Sequence, residues 1–362
     1  MASMCQYVEY LHLHYEERVM CAVCRIGLDI AKNVFQAHGC DKSGKTVFSR
    51  KIQRKGVLLF FVNFPPCLVA LEACSGAHHW GRELMKLGHD VRLVPPRTVK
   101  PFVLNNKTDA ADAQAICEVA GRPSTKFVSV KTVEQQDMAA WHRIRELAVK
   151  ERTALVNQAR ALLHEQGVII PQGITHVRRH LPRIIEDENV HLSLAARDYL
   201  SELWSELIAK DERIKKYEER IVRVATTNED CKRLQTIPGI GPLTATAIVA
   251  HVGKGEHFKN GRQFAACMGL TPREHSSGGK QKLLGISKRG NNHIRKLLIQ
   301  GARVVVRYGA TPNIGEGDTP STWLHNLIDR RGKFVAAVAQ ANKTARMAWA
   351  VLARGEVYRQ VA

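Results

Sequence analysis

The sequence predicts an α/β region followed by a chain that is almost entirely helical. Three observations predict it. Short apolar runs alternate with helical patterns over residues 22–125, a charged stretch from Val133 runs to Gly167 without proline or glycine, and a helix–turn–helix pattern follows Cys231. The 362 residues are enough for two or three domains. A hydrophobic fraction of 44% supports real cores, so a disordered basic tail is excluded.

In the first region, Ala22–Asp29, Val34–Gly39 and Thr46–Ile52 read as strands, the last two joined by a polar turn at residues 41–44. A helix over Gly56–Phe64 ends at Pro65-Pro66. Cys67–Ala73 is a compact apolar run suited to a central strand. His78–Leu87 is helical, and Asp90–Val94 is a strand stopped by Pro95-Pro96. A last helix runs from Thr108 to Ala120. Three strands followed by alternating helix and strand is a ribonuclease H-like order.

The second region, residues 126–230, is helical and highly charged. Met138, Trp141, Ile144, Ala148, Leu155, Ala159 and Leu162 fall on one stripe of a helix; at 1.5 Å per residue it would be roughly 50 Å long. A linker with Pro171, Gly173 and Pro182 follows, then a helix from Leu192 to Thr226. A long antiparallel pair fits this pattern, either as a coiled coil between subunits or as a bundle within one chain. The third region, residues 231–362, opens with Ile237-Pro238-Gly239-Ile240-Gly241 between two helices, the sequence form of a helix-hairpin-helix. Gly239 and Gly241 would let backbone amides approach a phosphate at the start of the helix Pro242–Val252. A Gly-rich basic stretch at Ser276–Gly290 precedes helices at Asn292–Tyr308 and Lys333–Leu352.

Charge points to the partner. Lysine and arginine total 54 against 34 acidic residues, a net charge of +20 and a pI near 9.8, so a polyanion is expected and nucleic acid is the first candidate. No apolar run approaches the roughly 20 residues that span a bilayer. The first 18 residues lack an apolar signal core, which favours a cytoplasmic location. Nine cysteines, an odd number in no regular framework, favour reduced thiols, and Cys21-x-x-Cys24 reads as ordinary thiols rather than a metal knuckle. His78-His79 point to different sides of a helix and read as packing or exposed residues.

Four acids stand out. Asp29 and Glu72 each end an apolar strand, where a charge has no packing reason to be. Asp109 and Asp112 share one face of a helix at spacing i, i+3. Separately, each has a bland explanation; Asp109, for example, complements a helix dipole behind a Thr108 cap. Converging, they would repel unless joined by a divalent cation, and magnesium suits both an oxygen cage and phosphodiester oxygens. A second candidate is the glycine-rich loop after Gly269. There a serine could attack phosphorus while Arg273, Lys280, Lys288 and Arg289 neutralise phosphoryl oxygens, with His275 as a base. Such a loop also serves as a plain phosphate contact.

GLDIAK around Asp29, ALEACSG around Glu72 and NKTDAADA around Asp109 and Asp112 resemble the DEDD transposases of bacterial insertion sequences, specifically the IS110 group and its IS1111 branch. The runs IPGIGPLTATAIVAHVG and QFAACMGLTPREHSSGGKQKLLGISKRGNNHIRKLL resemble that group's C-terminal domain, and the likeness extends over about residues 24–352 in order. The resemblance implies a Ruv-C-like domain with Asp29, Glu72, Asp109 and Asp112 as a magnesium tetrad. It further implies a helical coiled-coil middle and a C-terminal transposase domain whose serine, Ser277 with Ser276 adjacent, links covalently to DNA. The group works as a recombinase guided by a structured bridge RNA, and strand exchange implies a dimer-to-tetramer assembly. A metal-dependent Holliday-junction nuclease without a covalent step, and a binding protein with a decayed nuclease fold, are the rival readings. Residues 1–21 precede the expected start of the fold and are expected to be disordered.

Overall fold

The computed structural model describes residues 22–103, 106, 108–309 and 322–359; Cys21 and the expected N-terminal extension lie outside them. The chain divides into two compact units, Met1–Thr132 and Val133–Ala362. Among the described residues, no helix is long and apolar enough to cross a membrane.

The first unit is built on five strands: β1 (Arg25–Asp29), β2 (Val34–Cys40), β3 (Thr46–Gln53), β4 (Leu68–Glu72) and β5 (Asp90–Val94). Their order across the sheet is β3-β2-β1-β4-β5. The first three pair antiparallel, whereas β1, β4 and β5 run parallel. The reason lies in the connections. The Asp41–Lys45 turn, closed by the Asp41 carboxylate accepting from Ser43 and Lys45 amides, is a hairpin. The β4–β5 link carries a helix, as a parallel crossover must.

Side-chain alternation sorts the strands into two faces. Ile26, Leu28, Val69, Leu71 and Leu93 join Phe35, Trp80 and Leu84 in one core, covered by α1 (Val57–Val62) and α2 (Ala77–Lys86). Ala70 and Val94 face the other way, into a second core with Ala115, Ile116 and Val119 of α3 (Asp109–Ala120). That helix lies directly on β1: a Cβ at Gly27 would stand 2.2 Å from the carbonyl oxygen of Ala113 and 2.5 Å from the Cys117 amide nitrogen. Only glycine permits this approach.

The second unit pairs α4 (Val133–Glu165) with α6 (Leu194–Thr227). Arg145 bonds Glu218 and Arg152 bonds Asp211; one number rises as the other falls, so the helices are antiparallel within this chain. The buried stripe of α4 is Met138, His142, Ala148, Leu155, Val156, Ala159 and Leu163. The sequence-derived stripe therefore drifts: Ile144 is exposed and Leu163 replaces Leu162 at the core. The expected linker holds α5 (Ile174–Glu186), with Pro182 inside it. Burial of Val177 and Leu181 among α4 and α6 side chains outweighs the proline's missing amide.

Next come α7 (Glu229–Gln235), α8 (Pro242–Val252) and α9 (Gly261–Cys267). A short antiparallel hairpin of β6 (Pro272–Glu274) and β7 (Leu283–Ile286) follows, then α10 (Asn292–Gly309) and α11 (Thr322–Arg354). The hairpin occupies what the sequence presents as an irregular glycine-rich stretch. Helix α11 begins before the expected Lys333 but breaks at Gly332, whose φ of 78° and ψ of 162° lie in a region open essentially to glycine alone.

Candidate active site

Asp29 and Glu72 each follow the last paired residues of two adjacent parallel strands, Leu28 opposite Leu71. Asp29 shares its face with Gly27, and Glu72 shares its face with Ala70, so alternation turns both toward α3. The helix runs antiparallel to β1. Ala113 lies against Gly27, while Gly121, at its other end, lies against the Arg25 guanidinium. Its first turn, with Asp109 and Asp112, therefore sits toward the Asp29 end of the strand. Thr108 caps that turn, its hydroxyl accepting from the Ala111 amide at 3.2 Å. Asp109 is exposed and Asp112 half-buried.

The strand-end pair is electrostatically coupled to one neighbour. The thiol of Cys74 is held above its ordinary range first by desolvation, then by the Glu72 and Asp29 carboxylates. Two carboxylates close enough to act on one sulfur suit a hard cation. Among the described residues, however, no three potential ligands are gathered tightly enough to hold an ion. The structure thus brings Asp29 and Glu72 together and sets Asp109 and Asp112 at the same end of the same face, without closing all four into a cage.

The hairpin positions the serines. Lys280 donates its amide to the Ser277 carbonyl at 3.1 Å, and His275 donates to Lys282, with Gly278 and Gly279 at φ of 58° and 75° between them. Two central residues at positive φ form the turn that matches strand twist, and glycine is the residue that adopts it freely. This register fixes the faces. Glu274, Ser276 and Gln281 share one: the Ser276 hydroxyl donates to Glu274 Oε1 at 2.6 Å, and the Gln281 amide reaches the same oxygen at 3.3 Å. These bonds hold the Glu274 carboxyl below its ordinary range. His275, Ser277, Lys280 and Lys282 share the opposite face. Among the described residues no side chain bonds the Ser277 hydroxyl. Lys282 was not picked out from the sequence; the signal for it was the Gly278-Gly279 step, which sets 282 opposite 275.

Lys288 and Arg289 are anchored by their backbone. The Lys288 amide donates to the Gly269 carbonyl at 3.1 Å, and a Cβ at Gly269 would stand 2.1 Å from the Arg289 carbonyl oxygen. Arg273 and both of these cations are exposed. In the α7–α8 turn, Ile240 donates to the Ile237 carbonyl around Pro238 and Gly239, the latter at φ 86°, as in a type II turn. A Cβ at Gly239 would stand 3.0 Å from the Gly301 carbonyl oxygen of α10, while one at Gly241 would meet open space. The two glycines therefore differ: Gly239 serves the turn and its packing, and Gly241 leaves the start of α8 accessible.

Carboxylates at adjacent strand ends in one unit, and a cationic hairpin with a free serine in the other, are the equipment of an enzyme that works on phosphodiesters. Comparison with known proteins gives the class. A family model described as the Transposase IS116/IS110/IS902 family matches residues 231–314, and a transposase model for the DEDD transposases of IS110 matches residues 26–167. A probable family 20 transposase of Pseudomonas aeruginosa is 47% identical over 336 residues, 92% of this chain and 98% of the relative. The transposase for insertion sequence element IS1111A of Coxiella burnetii is 46% identical over 334 residues, 92% of this chain and 91% of its own. The transposase for insertion sequence element IS1328 of Yersinia enterocolitica is 39% identical over 336 residues, 93% of this chain and 98% of its own. The chain belongs to the IS110 family of transposases, enzymes of DNA recombination.

Proposed function

We propose that this transposase cuts and rejoins the DNA of an insertion sequence through a covalent link to Ser277. The observation that carries this reading is the division of the hairpin. Ser276 is tied to Glu274, whereas Ser277 stands on the face of His275, Lys280 and Lys282. In the proposed step the Ser277 oxygen bonds to phosphorus, the bond from phosphorus to one deoxyribose oxygen breaks, and that oxygen leaves with a proton. The serine proton passes to a base, for which His275 is placed on the same face. Lys280, Lys282, Arg273, Lys288 and Arg289 offset charge growing on the phosphoryl oxygens. Rejoining reverses the exchange with a new strand end.

Asp29, Glu72, Asp109 and Asp112 are the residues proposed to hold magnesium. Bound there, the ion would neutralise and grip phosphodiester oxygens. The sheet order and the helix position support a ribonuclease H-like reading of the first unit. The α7–α8 turn supports a helix-hairpin-helix, with phosphate met at Gly241 and with Gly239 shaping the turn. Within this reading the regions 22–125, 126–230 and 231–362 act as metal domain, helical arm and serine domain. A guide RNA selects the sites, a dimer to tetramer brings two duplexes together, and the protein works in the bacterial cytoplasm at the nucleoid. The net charge of +20 serves both polyanions.

The test is a denaturing-gel assay for a protein–DNA adduct, with magnesium, the element's RNA and junction DNA. An adduct that Ser277→Ala and Asp29→Ala each remove supports the reading. Nicked DNA without an adduct, undiminished by Ser277→Ala, would make the protein a metal nuclease of the junction-resolving type.

A further inference from the structure

A groove of about 1810 Å³ runs between the base of the β6–β7 hairpin and α11. Its lining joins cationic and aromatic side chains. Arg273, Lys288, Arg331, Lys343 and Arg346 border it, and among the described lining residues there is no carboxylate. Aromatic rings border it as well: Phe334 is 79% exposed and Trp323 43% exposed, with the partly buried Trp349 beside them. The Lys343 ammonium lies 4.9 Å from the Trp323 ring centroid. The break at Gly332 separates Trp323 from Phe334 along the helix, yet both face the groove.

We propose that this groove holds an unpaired DNA strand beside the cleavage serine, with bases stacked on Trp323 and Phe334 and phosphates met by Arg331, Lys343 and Arg346. Among nucleic acids, exposed ring faces are covered by bases whose own faces are free, which a duplex does not offer. A second copy of a chain with net charge +20 would bring like charge to a wall of five cations, so it is the poorer occupant. DNA rather than RNA follows from position. Arg273, Leu283 and Lys288 of the groove belong to the same hairpin segment whose tip carries Ser277, about 14 Å from Arg273 along an extended strand. DNA held at that tip for strand exchange must come unpaired next to it. The inference rests on the transposase reading and deepens it.

The experiment measures binding of the full chain to labelled oligothymidylate, to a duplex of equal length and to oligouridylate, for wild type, Phe334→Ala, Trp323→Ala and the conservative Phe334→Trp. Both alanine variants remove exposed rings, and circular dichroism with melting checks their folding. The expected result is a loss of roughly tenfold for the DNA strand in each alanine variant, little change for duplex, and recovery in Phe334→Trp. Equal loss for duplex, tighter binding and greater loss with oligouridylate, or altered sedimentation with strand binding intact would each overturn the proposal. The last would make the groove a protein interface. Because binding is read without catalysis, an adduct assay that fails in wild type would sink the serine reading while leaving this result to stand or fall separately.

Discussion

The Ser276 hydroxyl donates to the Glu274 carboxylate at 2.6 Å and accepts from the Lys282 amide at 3.3 Å, while its neighbour Ser277 presents its hydroxyl on the other face of the hairpin. A hydroxyl engaged on both sides has to break those bonds before it can attack phosphorus. Ser276→Ala is therefore expected to keep adduct formation within roughly tenfold of wild type, through loss of about 1 kcal/mol of hairpin order. Ser277→Ala is expected to abolish it. Adduct yield on a denaturing gel reads both, and the reverse pattern would move the nucleophile to Ser276.

Gly27 sets where the helix with Asp109 and Asp112 lies. A Cβ there would stand 2.2 Å from the Ala113 oxygen, a contact that no rotamer change relieves because both partners are backbone. Gly27→Ala is expected to cost about 2 kcal/mol or more, a fall in melting temperature of roughly 10 °C for a domain this size, with loss of adduct formation. Gly56→Ala, where the new methyl meets nothing within 4 Å, is the control and should stay within about 1 kcal/mol. Equal melting of the two variants would show that the helix yields freely.

The cations of the hairpin segment predict a salt signature. If Arg273, Lys280, Lys288 and Arg289 each meet a phosphate, replacing any one by alanine should lower the slope of log affinity against log salt by about 0.9. Lys42→Ala, in the exposed turn of the first unit, should leave the slope unchanged. Titration of junction DNA at several salt concentrations measures it. An unchanged slope for all four variants would remove them from the binding surface.

β1 and β4 were legible because each is a short apolar run closed by turn residues, and Asp90–Val94 was read to its ends. Asp29 and Glu72 were visible as charges ending those runs. Their common face was not, because it depends on Gly27 admitting α3, a contact between residues some ninety positions apart. Helix α5 was missed because Gly173 and Pro182 argue locally for a linker, and only burial of Val177 and Leu181 reverses that. The hairpin was missed for the opposite reason: β6 and β7 are short and largely exposed, so they carry no hydrophobic period to read. Its turn chemistry at Gly278-Gly279 was the one available signal, and with it Lys282 would have been found.

His142 gives the second unit a defined response to acid. It is 4% exposed, and its Nε2 lies 3.0 Å from the Thr246 hydroxyl. That hydroxyl donates to the Pro242 carbonyl, so Nε2 carries the hydrogen and Nδ1 faces Nε2 of His293 at 3.3 Å. Burial first, then the neighbouring His293 and Arg145, pushes His142 down to about 4. The unfolded chain takes up this proton near pH 6.5 and the folded chain only near 4, so the unfolded state binds more protons between those values. Stability is thus full above pH 6.5 and falls as pH drops toward 4, by about 3 kcal/mol in all. His142→Gln, neutral at every pH, should remove this dependence. Hydrogen exchange of peptides covering residues 138–150 and 242–252, at pH values above and within the window and corrected for intrinsic rate, gives the local opening free energy. Wild type should lose more protection than the variant on acidification, and parallel losses in the two proteins would show that His142 titrates normally.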